Sequence, residues 1–236
     1  AVQISLPDVG VWFDETGRLG VSRVNRESPA RMLVTELMIM ANWLMARFLK
    51  SYNLAAVFRS QPAPRERLFR GEEGTLFQNW MQRRLLNRFI LGTEAQHHSG
   101  LGLDAYVTAT SPIRKYSDLV TQRQVRAALG LEQACSREEM EAVIRDLEQP
   151  MATVGRLQAA RHRYWLLKYL EGRVGEREEA IVLTRRRHGY QVLLTSYMLE
   201  CDMAASGVEL RPESLVQVVI QQANARRDVL TVFLGG

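Results

Sequence analysis

Cysteine is scarce in this sequence. Cys135 and Cys201 are the only two in 236 residues, far apart and without CxxC spacing. That number and spacing argue against a disulfide framework or a structural zinc site, and make a reducing, cytoplasmic setting the expectation. Histidine is nearly as rare: His97, His98, His162 and His188 show no metal-motif spacing, and the adjacent pair does not easily converge on one ion. Lysine occurs only as Lys50, Lys115 and Lys168, so all but three of the 31 basic residues are arginine. No uninterrupted apolar run reaches the roughly 18 residues that a bilayer crossing needs. The richest stretch, Met32 to Leu49, is broken by Glu36, Asn42 and Arg47, so it reads as a buried helix and no membrane partner is expected. Internal repeats and low-complexity tracts are absent, and the opening Ala-Val-Gln-Ile-Ser lacks the basic start and cleavage pattern of a signal peptide. The chain opens without Met, which reads as a processed or excised piece.

What is present is ordinary globular material with a basic bias. A hydrophobic share of 46% with 24% charge excludes general disorder. The length suffices for one large domain or two smaller ones with real cores. A net charge of +5 suits a polyanionic partner, and the planar fork of arginine matches phosphate oxygens. A GC-rich coding bias would give the same composition, which does not separate the two.

Residues 1–25 alternate around the turn Asp14-Glu-Thr-Gly17, as a hairpin does. Ser28-Pro29 then opens a long helix, with Ser as N-cap and Pro in the first helical position. Leu33, Leu37, Met40, Leu44 and Phe48 recur along it at helical spacing, so the helix is expected to be central and to end near 51–53. Pro62 and Pro64 make 58–65 extended, and 66–91 reads as helix with a weak break at Gly71 and Gly74. Residues 92–104 form a loop. A second long helix is expected from Ser111-Pro112 to a left-handed cap at Gly130. Ser136-Arg-Glu-Glu139 has capping-box spacing and opens a third helix; Pro150 interrupts it, and 151–172 forms a fourth. Five short β-rich runs follow, at 180–183, 190–194, 199–203, 215–220 and 229–233, and suggest a small barrel of the OB type, a common single-strand binder. The class is therefore α+β: a helix-rich part with an N-terminal β-hairpin over 1–172, and an OB-type β-barrel over 173–236.

The strongest candidate for chemistry is Thr110-Ser111-Pro112-Ile113-Arg114. A helix opening at Ser-Pro would leave free backbone N–H groups at its positive end, an anion site before any side chain is counted. Arg114 can add a two-pronged phosphate contact, Asp118 at i+4 can hold its guanidinium, and Arg123 lies further along. Taken alone, Ser-Pro at a helix start is more often structural.

Gly100-Leu-Gly-Leu-Asp-Ala-Tyr106, followed by Thr110-Ser-Pro-Ile-Arg-Lys-Tyr-Ser-Asp-Leu-Val-Thr-Gln-Arg123, resembles the signature of the ribonuclease II/ribonuclease R family, with His98 on the family's His. Leu33-Val-Thr-Glu36-Leu-Met-Ile-Met-Ala-Asn42 is similar to the family's Glu-bearing helix, and Val57-Phe-Arg59 with Pro62 matches a third segment. The three motifs stand in the family's order, and the likeness covers about residues 20–236, the last third by architecture. It implies 3′→5′ hydrolysis of single-stranded RNA to nucleoside 5′-monophosphates, with Mg²⁺ held by aspartates in the two-metal manner. Arg114 would be catalytic, gripping the phosphate at the scissile bond. Glu36, expected to be buried and so to need a partner, would hydrogen-bond the 3′-terminal ribose. Thr110, Ser111, Tyr116 and Arg59 join the expected RNA-binding set.

The family's aspartate motif has no match: Asp8 and Asp14 lack its spacing, and Asp104 and Asp118 are single. The expectation is a fragment, or one subunit of a nicked enzyme, whose partner is a missing N-terminal segment of the same protein. Cold-shock-like domains further upstream are expected to be missing too. Such a chain would bind no catalytic metal and be inactive alone. Thr108-Ala109 and Gln122 replace other family residues, as in a divergent bacterial branch. Arg83, Arg84 and Arg88 fall on one helix. Arg185-Arg186-Arg187-His188 is expected to be an exposed turn guiding RNA, with Tyr190 and Tyr197 either stacking on bases or serving the core. The alternatives are a non-catalytic RNA-binding clamp or adaptor, and a helical interaction domain.

Overall fold

A computed structural model describes residues 4–25, 28–69, 74–204 and 207–235. Val2, Gln3 and the expected break at Gly71 lie outside the described residues. In chain order the elements are β1 (Asp8–Phe13), β2 (Leu19–Val24), α1 (Pro29–Ser51), β3 (Phe58–Ser60), α2 (Leu76–Leu85), β4 (Ile90–Gly92), α3 (Tyr116–Ala128) and α4 (Arg137–Glu171), followed by β5 (Arg177–Arg186), β6 (Gly189–Leu194), β7 (Leu199–Ala204), β8 (Leu215–Asn224) and β9 (Val229–Leu234). The expected α+β class with a closing five-stranded barrel is observed. The chain forms two compact units: Ala1–Ser5 with Glu27–Thr153, and Leu6–Arg26 with Val154–Gly236.

In the first unit, Ser28 is extended and Pro29 takes the first helical position of α1, as expected, although the Ser28 side chain makes no capping bond. Asn53 ends the helix in a left-handed conformation (φ 50°). The face that α1 buries is not the expected one. Asn42, Ala46 and Leu49 are buried, while Leu33, Leu37, Met40 and Leu44 are 48–62% exposed on the opposite side. The buried side joins Ala56, Phe58, Ala105 and Val107 in one core cluster. Val57, Val120, Met140 and Ile144 form another. By length and composition alone α1 is also long and apolar enough to cross a membrane.

The helix expected over 66–91 is confined to α2. Its start is a capping box in which Gln78 N–H bonds Thr75 Oγ1 and Thr75 N–H bonds Gln78 Oε1. Around it the backbone stays extended because side-chain amides satisfy it. Gln82 bonds Leu68 N–H (2.8 Å) and Glu66 C=O (2.9 Å), and Gln61 bonds Asn87 C=O (2.7 Å). β3 and β4 then pair antiparallel.

α3 begins at Tyr116 rather than Ser111. The Ser111 carbonyl accepts from both Arg114 N–H (3.3 Å) and Lys115 N–H (3.0 Å), closing a separate turn before the helix. Gly130 (φ 72°) ends the segment as expected. The Ser136–Glu139 capping box also forms, but α4 runs unbroken through Pro150. The residues on either side of Pro150 are exposed, so water can take the carbonyl that proline leaves without a donor.

In the second unit, β1 and β2 pair as a hairpin. Asp14 Oδ1 holds the turn by accepting from Thr16 N–H, Thr16 Oγ1 and Arg18 N–H at 2.7–2.9 Å. The barrel closes in the order β5-β6-β7-β9-β8. Its core takes alternate residues of every strand, with Val9, Leu166, Leu167 and Leu170 packed among them. The β7–β9 seam is parallel and short: only Asp202↔Thr231 and Met203↔Val232 pair, against six pairs between β6 and β7. Arg163 lies at this seam, donating to Asp228 and to the Glu200 carbonyl.

Candidate nucleic-acid interface

The Thr-Ser-Pro turn is held from beneath by two buried polar side chains. Asn42, only 3% exposed, donates to Tyr106 Oη (3.1 Å) and accepts from Ala109 N–H (3.0 Å). Gln122 Nε2 takes the Ala109 carbonyl at 2.7 Å, so that peptide is fixed on both sides. Asp118, with no exposed surface, accepts from Thr108 Oγ1 (2.7 Å), Ser111 N–H (2.9 Å) and Ser117 Oγ (3.1 Å).

This corrects two expectations. Asp118 does not hold Arg114; both its oxygens serve the turn instead. The anion site is also not a helix opened by Ser111, because Ser111 N–H and the N–H groups of Arg114 and Lys115 already have acceptors. What the turn presents is side chains. Thr110, Arg114 and Tyr116 are exposed and Ser111 is half-buried, with Ile113 fully in solvent.

Glu36 is exposed on α1, not buried, so burial demands no partner for it. No hydrogen bond or ion pair among the described residues joins Glu36 to Arg114. The structure does gather the remaining family-like positions. Arg59 N–H bonds the Tyr106 carbonyl (2.8 Å), and His98 meets the Tyr106 ring edge-on at 5.5 Å. His98 is buried, and its Nδ1 accepts from Leu101 N–H (3.3 Å). Burial, followed by the charges of Arg59 and His97, pushes its pKa down, so the imidazole stays neutral with its proton on Nε2. The Arg59 guanidinium lies over the Phe89 ring at 3.8 Å, and burial lowers its pKa as well.

On the barrel, Arg185 and Arg186 end β5, paired with Tyr190 and Gly189, and only Arg187 and His188 form the expected β5–β6 turn; all four are exposed. Arg185 pairs with Glu209 (3.0 Å) and Arg186 with Gln191 (2.7 Å). The tyrosines beside it belong to the core rather than to a stacking surface. Tyr190 accepts from Leu210 N–H (3.0 Å), and Tyr197 donates to Glu178 (2.6 Å). Both are at most 6% exposed. Burial pushes the Tyr197 phenol up, and the bond to Glu178 adds to this.

The sequence reading missed Phe89 and the bonding roles of Asn42 and Asp118. Asn42 carried a signal, an amide inside a run of Leu and Met that must find partners if buried. Phe89 carried none.

No group of three or more His, Cys, Asp or Glu side chains among the described residues is arranged to hold a metal ion. Asp104, the other single aspartate, accepts from the Trp43 indole N–H (2.9 Å) beside Lys50.

A model of the RNB domain family matches residues 1–130. An uncharacterised ribonuclease of Synechocystis sp. is 30% identical over 190 residues, covering 78% of this chain and 28% of that protein. The mitochondrial exoribonuclease II of Schizosaccharomyces pombe is 24% identical over 223 residues, covering 85% of this chain and 22% of its own length. The chain thus spans about a quarter of the curated relatives it matches. Among solved structures, apo RNase R of Mycoplasma genitalium superposes with a TM-score of 0.82 at 12% identity, covering 99% of this chain and 46% of that one. The same enzyme in complex with ribose-methylated single-stranded RNA gives 0.79.

Proposed function

Because this chain belongs to the RNB domain family, we propose that it is the strand-gripping part of a longer exoribonuclease, which hydrolyses single-stranded RNA from the 3′ end to nucleoside 5′-monophosphates. The observation that carries this reading is the turn clamped by Asn42 and Asp118, which sets Arg114 free of any protein partner among the described residues. An unpaired arginine on a fixed backbone is preorganised for a phosphate. Its fork reaches two oxygens at once and stabilises the negative charge that grows there during attack. Thr110, Ser111 and Tyr116 flank it, with Glu36 as a ribose contact and Arg185, Arg186 and Arg187 as the barrel's guide for the strand.

The described residues do not fit a resident Mg²⁺. Both oxygens of Asp118 are engaged by the turn, Asp104 is bonded to Trp43, and no third donor joins either. In our reading the Mg²⁺ donors of the longer, cytoplasmic enzyme come from sequence outside this chain. The same outside sequence covers the exposed Leu33–Leu37–Met40–Leu44 stripe. The opposite face of α1 is bonded into its own unit through Asn42, Ala46 and Leu49, which favours a polypeptide cover over a lipid one.

Titration of the chain with a labelled single-stranded oligoribonucleotide at several salt concentrations tests the reading. Binding should weaken steeply with salt, and Arg114→Ala should cost about tenfold, the loss expected for one charged hydrogen-bonded contact. Incubation with Mg²⁺ should leave the oligonucleotide intact. Binding that ignores Arg114→Ala refutes the assignment, and shortening by single nucleotides refutes the division of labour.

A further inference from the structure

From Arg59 to Leu91 the sequence holds seven arginines against three glutamates, a net charge of +4 in a chain whose whole excess is +5. On one continuous helix those charges would be spread around a cylinder. The structure instead lays two stretches of this segment side by side, 61–68 against 82–87, running in opposite senses. Gln61 Nε2 bonds the Asn87 carbonyl (2.7 Å), and the Asn87 side chain returns to the Ala63 carbonyl. Arg65 N–H bonds the Leu85 carbonyl (3.2 Å). Buried Gln82 closes the far end on Leu68 N–H and the Glu66 carbonyl.

The result is a pinned backbone that carries cations from both stretches. Arg65 and Arg67 stand on the first, Arg83 and Arg84 on the last turn of α2, and Arg88 past its end; all five are exposed. Arg83 and Arg84 suit the negative end of a helix, but Arg65, Arg67 and Arg88 serve no helix end. None of the ion pairs among the described residues includes Arg65, Arg67, Arg83 or Arg88. Glu66 is the one acidic residue on the two stretches. Aromatic surface accompanies the charge: Arg83 lies 5.5 Å from the Trp80 ring, and Phe89, next to Arg88, is 37% exposed with Arg59 over one face. Arginine forks match phosphate oxygens, and cations set among aromatic rings are the combination that holds single strands. A carboxylate-bearing partner would meet the charges and leave the rings without a part.

We propose that the joined stretches 61–68 and 82–88 form a second RNA-binding surface, which takes backbone phosphates of a single strand on Arg65, Arg67, Arg83 and Arg88. It lies on different elements from the Arg114 turn and on a different unit from the barrel arginines. Because the backbone beneath is fixed by side-chain amides, little ordering is left to be done when the strand arrives. The assignment to RNA rests on the function proposed above; the polyanion surface rests on the arginines alone.

Fluorescence-anisotropy titrations of the 236-residue chain with a labelled single-stranded oligoribonucleotide, at several salt concentrations, test this. Four chains are compared: wild type, Arg114→Ala, one with Arg65, Arg67, Arg83 and Arg88 all replaced by Gln, and one with the same four replaced by Lys. Each phosphate contact removed takes about 0.7 from the slope of log affinity against log salt. The four-Gln chain should lose about 1.4 or more, at least two contacts' worth, with its thermal midpoint unchanged. The four-Lys chain keeps the charge and should stay within about 0.7 of the wild-type slope. A four-Gln slope equal to wild type overturns the surface, and so does a four-Lys loss as large as the four-Gln loss. If the four-Gln chain does not fold, Arg67→Gln and Arg88→Gln decide singly: a fall of about 0.7 in either supports the surface, and none in both overturns it. Poly-L-glutamate of equal charge should bind more weakly than the oligoribonucleotide; equal or tighter binding that the four-Gln chain loses would hand the surface to an acidic protein and overturn the RNA assignment. A four-Gln loss where Arg114→Ala has no effect leaves this surface standing and removes the role proposed for Arg114, whereas the converse overturns this surface alone.

Discussion

Replacing Asp118 with asparagine separates two physical pictures of the Thr-Ser-Pro turn. In the structure this fully buried carboxylate receives Thr108 Oγ1, Ser111 N–H and Ser117 Oγ. Asparagine keeps one acceptor oxygen and places an NH₂ group where the other stood. The asparagine oxygen can keep the Ser111 N–H, while its NH₂ meets the Thr108 and Ser117 hydroxyls, which must turn from donating to accepting. The loss is then that of the charge-assisted bonds, about 1.5 kcal/mol. Urea unfolding of the two chains measures it, and a double-mutant cycle locates it. Thr108→Val should couple to Asp118→Asn by about 1 kcal/mol, whereas Arg114→Ala should add to it within roughly 0.3–0.5 kcal/mol. A total cost under about 0.5 kcal/mol, or stronger coupling to Arg114 than to Thr108, would restore the ion pair expected from i+4 spacing and sink the clamp.

Other expectations follow from particular side chains. The His98 pKa is depressed, so below its unfolded value of about 6.5 the unfolded chain binds the proton first. Stability should be full above that pH, decline as pH falls toward the folded pKa, and level out below it; His98→Asn should narrow the stability gap between about pH 7.5 and about pH 5, and an equal gap would count against the assignment. Leu37→Ser with Leu44→Ser should reduce self-association and hydrophobic-dye binding of the chain while changing stability by less than about 0.5 kcal/mol; a loss of several kcal/mol would mean that the stripe is packed. Pro150→Ala, in an exposed stretch of continuous helix, should stabilise by about 1–3 kcal/mol in chemical unfolding, and a neutral or harmful result would show that α4 depends on its proline.

Much of the local architecture could be read from the residues. Ser28-Pro29, Gly130 and the Ser136–Glu139 box mark helix ends because their chemistry is local. The five barrel strands stand out as β-branched runs between turns. The reading fails where the outcome depends on what lies across space. Periodicity shows that α1 has an apolar stripe, but not whether that stripe is covered; its buried face is set by Asn42 finding Tyr106 and Ala109, 64 and 67 residues away. Spacing offered Asp118 an arginine, yet burial favours the Thr108 hydroxyl and the Ser111 amide, which enter the interior without a charge to desolvate. Tyr190 and Tyr197 have the composition of a stacking surface, but the pleat of β6 and the turn after it point them into the barrel. Arg59 lay in a motif, while the ring beneath it came from a segment that reads as helix.

The β7–β9 seam gives the barrel a place to open. A closed sheet has no free edge to recruit other chains, but a ring held by two rungs at one point opens there first. Arg163 acts as a latch across it, from Asp228 to the Glu200 carbonyl. Its Asp228 half is a partly exposed ion pair that salt screens. Backbone amides at the seam, such as that of Thr231, should therefore exchange with solvent ahead of those between β6 and β7, and faster still at high ionic strength. Slower exchange there than along the six-pair ladder would show that the latch outweighs the missing rungs. If the seam yields first, the barrel behaves as a sprung collar, and its resistance to spreading is set by one arginine outside the sheet.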